Sequence, residues 1–184
     1  MLRPTGASPL LLPVLLLLFA CTNAAQTGAE PDVEAQLAEL RALQDAVFPN
    51  GPQNGTDSAR AYPFVRAVQR FAEAHPEHER AAPLLMDAAG LANGTGWSNK
   101  AFQLWGQVWR KRPDYERAAE AMFYQGFVAD TRFGNYELAV QYYDRLIAAY
   151  PESEYARQAE QLRRIASGEE ALPSVPEGPA ESPK

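Results

Sequence analysis

The chain has 184 residues, one cysteine, 15 prolines and a formal net charge of −6. Its length suits one domain. An acidic chain without a run of Lys or Arg argues against nucleic acid as a partner and against a polybasic membrane patch. A single cysteine excludes an internal disulfide framework.

Met1 to Ala20 reads as a secretion signal. Arg3 follows the free amine, and Leu10 to Phe19 is an apolar run broken only at Pro13. The run is shorter than the roughly 20 apolar residues that span a bilayer. It ends in Leu18-Phe19-Ala20-Cys21, which resembles the lipobox of bacterial lipoproteins, with Phe19 bulkier than the usual residue. The resemblance implies cleavage before Cys21, acylation of its sulfur and amine, and a stable membrane anchor, since two or more acyl chains hold where one does not. Thr22 is not the Asp that often retains lipoproteins in the inner membrane. The expected location is therefore the periplasmic face of the outer membrane, with a periplasmic or inner-membrane-anchored protein as the alternative.

Residues 21–57 then form a lipidated tether and a short helix. Val33, Leu37, Leu40, Leu43 and Val47 draw one apolar stripe over 33–48. That helix either docks on the domain or mediates association. Pro49 to Asp57 breaks the chain with Pro, Gly and Asn-Gly signals. Further helices are expected near 58–74, 79–92, 98–110, 115–131, 135–149 and 153–166, within a repeat domain over 58–167. The sequons at Asn54 and Asn93 read as polar turns. Residues 168–184, rich in Pro, Glu and Ser, read as a disordered tail.

A repeat carries the fold assignment. His75-Pro76, Arg112-Pro113 and Tyr150-Pro151 are spaced 37 and then 38 residues apart, the period of a helical array. Five residues after each proline stands Ala81, Ala118 or Ala156. Eight residues before stands Val68, Trp105 or Tyr143, and five before stands Phe71, Val108 or Leu146. Ala101 and Ala139 precede the second and third prolines by twelve, whereas the first repeat has Phe64 there and Pro63 in its helix. Small residues let antiparallel helices approach, large ones fill the space between them, and proline stops the second helix. Gly90 and Gly126, 14 and 13 residues after their prolines, are expected at close helix contacts.

Ala118 to Leu162 resembles the tetratricopeptide repeat, with Gly126, Ala139, Tyr143 and Pro151 at its signature positions. The Pro-x4-Ala-x2-Ala variant at Pro113 and Pro151 is similar to that of tetratricopeptide-repeat lipoproteins of Gram-negative envelopes, relatives of the Tol–Pal-associated repeat protein and the outer-membrane assembly lipoprotein; Leu84 replaces its second Ala after Pro76. The resemblance covers about 110 residues. It implies an all-α, right-handed solenoid of antiparallel helix pairs, about two and a half repeats plus capping helices.

No set of catalytic groups, phosphate loop or metalloprotease motif occurs, and no cofactor or metal is expected. His75 and His78 fall short of a zinc donor set and read as turn residues. Trp105 and Trp109, one turn apart, read as core. The resemblance places groove positions at Met86, Glu120, Phe123, Phe127 and Asp130; the two phenylalanines either line that groove or pack on the neighbouring helix. Trp97, in a Gly-Thr-Gly-Trp-Ser turn, is the best candidate for an exposed aromatic contact. Three functions stay open: a non-catalytic scaffold for an envelope protein or peptide segment, a structural subunit of an envelope machine, and an enzyme or ligand-binding accessory.

Overall fold

A computed structural model describes residues 33–48 and 58–170. The signal, Cys21, most of the tether, the break at 49–57 and residues 171–184 lie outside the described residues. Seven helices occur among the described residues: α1 (Val33–Val47), α2 (Ser58–Ala74), α3 (Ala81–Gly94), α4 (Ser98–Lys111), α5 (Ala118–Thr131), α6 (Tyr136–Ala149) and α7 (Glu154–Ala166). Each packs on the next, and α7 also reaches back to α5. The result is an all-α helical repeat solenoid.

The helices fall into two layers. Even-numbered helices meet through side chains: Lys100 of α4 reaches Gln69 of α2, and Phe102 of α4 meets Tyr142 of α6 edge to face at 5.2 Å. On the other side, α1 and α3 wall one cleft, and Phe123 of α5 lies 5.4 Å from the Tyr155 ring of α7.

The sequence period corresponds to one turn geometry used three times. Around Pro76 the chain makes two successive hydrogen bonds, His78 N to His75 O and Ala81 N to His78 O. The same pair recurs as Tyr115 to Arg112 and Ala118 to Tyr115, and again as Ser153 to Tyr150 and Ala156 to Ser153. Each set ends on the alanine five residues after the proline, where a small side chain enters the next helix against its neighbour. These turns also occupy residues assigned to helix from sequence, so α3 begins at Ala81 instead of 79 and α5 at Ala118 instead of 115.

The eleven recurring positions all enter the core. Val68, Trp105, Tyr143, Phe71, Val108 and Leu146 are buried, and so are Ala81, Ala118, Ala156, Ala101 and Ala139. Phe64, in place of the first repeat's alanine, is buried as well, against the extra apolar surface that α1 brings through Leu40 and Val47. Full burial of one such large side chain contributes about 1.5–3 kcal/mol. Helix α2 runs through Pro63, which faces solvent within its first two turns. Pro83 takes the third position of α3, where an N–H has no helical partner to lose.

Three expected features differ. Gly90 has open space around its Cβ direction, so it makes no close helix contact; Gly126 does. Asn93-Gly94 completes α3, and the turn itself is Thr95-Gly96, with Gly96 at φ 86°. Beyond α7 the chain turns back at Gly168 (φ 79°), and Glu169 and Glu170 pair with Arg163 and Arg164. Residues 168–170, placed in the tail from sequence, are thus tied to the last helix.

Candidate functional site

The odd-numbered layer holds two clefts. One, of about 560 Å³, lies between α1 and α3 at the start of α5, bordered by Gln44, Asp45, Phe48, Met86, Asp87 and Arg117. The other, of about 530 Å³, lies between α5 and α7, bordered by Phe127, Asp130, Tyr136, Leu162, Ile165 and Glu170. The groove positions implied by the resemblance therefore do not form one continuous site. Met86 belongs to the first cleft, and Phe127 and Asp130 to the second.

Met86 is 4% exposed, so it forms floor rather than an accessible wall. Its helix is packed between α2 and α4. Asp87, one residue on, presents the carboxylate that the sequence reading missed. Neighbouring protein desolvates it and pushes its pKa up, against the opposing pull of Arg117 and Arg80.

Glu120 is already engaged. Arg117 donates from Nε to Oε2 at 2.8 Å and from Nη2 to Oε1 at 2.9 Å. This two-pronged pair holds the Arg117 pKa well above its ordinary range and leaves the Glu120 carboxylate already engaged in an ion pair. The spacing of three residues was the sequence signal for it.

Phe123 packs on the neighbouring helices, one of the two arrangements expected. It is 8% exposed and touches Tyr143 of α6 and Tyr155 of α7. Phe127, one turn later, is 39% exposed and stacks on Phe123 at 6.2 Å. It forms the accessible apolar surface of the second cleft, with Tyr136 at 58% exposure beside it. Asp130 completes that edge. Burial raises its pKa, and it has no ion pair among the described residues.

Trp97 stands apart from both clefts. It caps the start of α4 without a side-chain cap and is half-buried, its ring edge-on to Tyr62 at 5.8 Å. It is therefore less exposed than the sequence suggested, because Tyr62 covers one edge. Trp105 is buried and stacks on Tyr124 at 5.0 Å. Trp109 is half-buried, and its indole N–H donates to Oε1 of Gln125. The Gln125 Nε2 donates in turn to the Phe102 carbonyl at 2.7 Å, so this buried amide joins α4 to α5. Nothing in the apolar run of α5 marked Gln125 for that role.

His75 and His78 flank the ring of Phe71, at 5.1 and 5.3 Å. The Gln36 amide lies 3.1 Å from His75 Nε2, and His78 Nδ1 accepts the Arg80 N–H at 3.0 Å. Both are turn residues, but partly packed ones. Among the described residues no group of three or more His, Cys, Asp or Glu is arranged to hold a metal ion, and no helix is long and apolar enough to cross a membrane.

Over the first five helices charge is sorted between the layers, whereas α6 and α7 carry both signs. Helices α1, α3 and α5 carry six carboxylates and one Arg. Helices α2 and α4 carry six Lys or Arg and one Glu. The overall charge of −6 conceals this separation, because alternate helices in sequence go to opposite faces in space.

The tetratricopeptide repeat family model matches residues 120–153, from α5 through α6 to the cap of α7. The solved structure of a tetratricopeptide repeat protein from Parabacteroides merdae ATCC 43184 is similar, at 19% identity and a TM-score of 0.42. The alignment covers 75% of this chain and 56% of that one, so the chain spans little more than half its length. No curated protein matches. Repeats of this kind generally mediate protein–protein interaction through their extended concave surfaces.

Proposed function

We propose that the chain is a non-catalytic scaffold that binds a peptide segment of a partner protein on its odd-numbered layer, and that an acylated Cys21 holds it in the bacterial envelope. The observation that carries the binding reading is the pairing of exposed Phe127 with unpaired Asp130 at the mouth of the second cleft. Such an edge suits an apolar side chain followed by a basic one. The helices of that layer carry eight carboxylates against four Arg, which extends the preference for a basic partner. The lipobox at Cys21 and the Pro-x4-Ala-x2-Ala variant support the envelope setting and a relationship to the envelope lipoproteins.

A second reading, a subunit of a larger envelope assembly, draws on Tyr136, Leu162 and Ile165, which continue the apolar edge past Phe127 to the last helix. The test is crosslinking in the native envelope followed by pull-down, comparing wild type with Phe127→Ala and Asp130→Asn. Loss of one partner from both variants, with helical content kept, supports the scaffold. Unchanged partners would move the working surface elsewhere. Instability of the isolated chain, relieved by the partner, would favour the subunit reading. Labelling with a palmitate analogue, lost in Cys21→Ser, tests the anchor separately.

A further inference from the structure

The even-numbered layer holds a cleft of opposite charge. Between α2 and the start of α4 lies a cleft of about 560 Å³ walled by Tyr62, Val65, Arg66, Gln69, Trp97 and Lys100. Buried Val65 is its floor, and the edge-to-face pair of Tyr62 and Trp97 is its apolar rim. Arg66 sits over the Tyr62 ring at 5.8 Å and approaches the Tyr62 hydroxyl at 3.4 Å. Lys100 donates to Gln69 Oε1 at 3.3 Å. Both cations are thus positioned by neutral groups, and neither has an ion-pair partner among the described residues. Glu73, the carboxylate of α2, accepts from Gln69 and does not border the cleft.

Trp97 and Lys100 also border an adjoining depression that runs on to Arg132 and Phe133. The two together form a path in which aromatic rings alternate with Arg66, Lys100 and Arg132, and no carboxylate lines either part. The first N–H groups of α4, without a side-chain cap, add positive character at the middle of the path.

We propose that this path docks an extended acidic peptide segment of a partner protein, with an apolar or proline side chain against Tyr62 and Trp97 and carboxylates facing the three cations. Charge complementarity selects the acidic partner. The recess favours a peptide over a lipid surface, because a bilayer meets protruding cations and cannot enter a cleft between two helices. Aromatic walls accept side chains from an extended chain, as they do in proline-rich recognition. The path shares no lining residue with the odd-layer clefts, meets α5 only just past its end at Arg132 and Phe133, and has the reverse charge. A chain with both would bridge two partners.

The experiment is fluorescence anisotropy of the full chain with fluorescein-labelled twelve-residue peptides rich in Glu, each with one central Leu, Phe or Pro. At least one peptide is expected to saturate. Its affinity should fall roughly tenfold or more in Arg66→Glu and in Lys100→Glu, and on raising salt. Replacing the peptide's Glu by Gln should abolish binding, and Trp97→Phe should remove the accompanying change in tryptophan emission. Both charge variants should keep wild-type circular dichroism and the odd-layer crosslink. Failure of every peptide to bind overturns the proposal, as does equal binding by the charge variants. Binding to phosphatidylglycerol vesicles that no peptide displaces would assign the face to a membrane instead.

Discussion

Gly126 of α5 faces the ring of Tyr143 in α6 so closely that a Cβ on the glycine would lie 2.6 Å from the ring's Cε1. The contact fixes how near the two helices of this repeat approach each other. The glycine also makes room for the fully buried tyrosine ring, whose ionisation burial suppresses.

Gly126→Ala is therefore expected to destabilise the domain by about 1–3 kcal/mol through overpacking. Gly90→Ala is the counterpart, since Gly90 is exposed, helical and unobstructed. It should stabilise by about 0.5–1 kcal/mol, because alanine restricts the unfolded chain and favours helix. Thermal melts followed by circular dichroism measure both, and shifts of the same sign would contradict the packing described.

Gln125→Leu should cost about 1–3 kcal/mol, because it leaves the half-buried Trp109 N–H and the Phe102 carbonyl without this partner. Urea denaturation gives the loss, and tryptophan emission should shift as Trp109 changes environment. An unchanged midpoint would mean that the amide joint between α4 and α5 has no net worth.

Phe123 and Phe127 should separate by stability. Phe123→Ala empties a buried site and is expected to cost about 3–5 kcal/mol. Phe127→Ala, at a 39% exposed position, should cost under about 1 kcal/mol. Only the second substitution is a clean probe of binding. A double variant would confuse lost partner with lost fold.

Asp130 gives a pH signature. Burial raises its pKa, so as pH rises the unfolded chain releases this proton before the folded one does. The folded state then loses relative stability through the range above the ordinary carboxylate value. Asp130→Asn should accordingly raise the melting temperature at about pH 7, with the gain shrinking towards about pH 3, where wild type is protonated in both states. A gain independent of pH would show that ionisation is not the cause.

The repeat was legible because every turn of the array imposes the same packing. The prolines, the alanines and the paired large residues recur with one period, and all of those large and small residues are buried. Helix starts were less so, since two hydrogen-bonded turns after each proline use residues with good helical propensity, such as Glu79 and Glu116. The site was hardest to read in α5. That helix is apolar around its circumference, so sequence could not tell Phe123 from Phe127. The pairing of Glu120 with Arg117 was open to reading from their three-residue spacing, whereas the burial of Met86 depends on neighbours distant in the chain. Charge was hidden for a different reason: composition counts charges along the chain, and the fold deals them alternately to two sides.

That sorting has an electrical consequence. With cations gathered on α2 and α4 and carboxylates on α1, α3 and α5, the first five helices are polarised from one layer to the other, while α6 and α7 offset this slightly at the far end. In dilute salt, where fields extend beyond roughly 10 Å, approaching molecules would be turned before they touched it, each towards the side of opposite sign. Two copies would meet preferentially front to back, so ionic strength should govern self-association as well as the rate of capture.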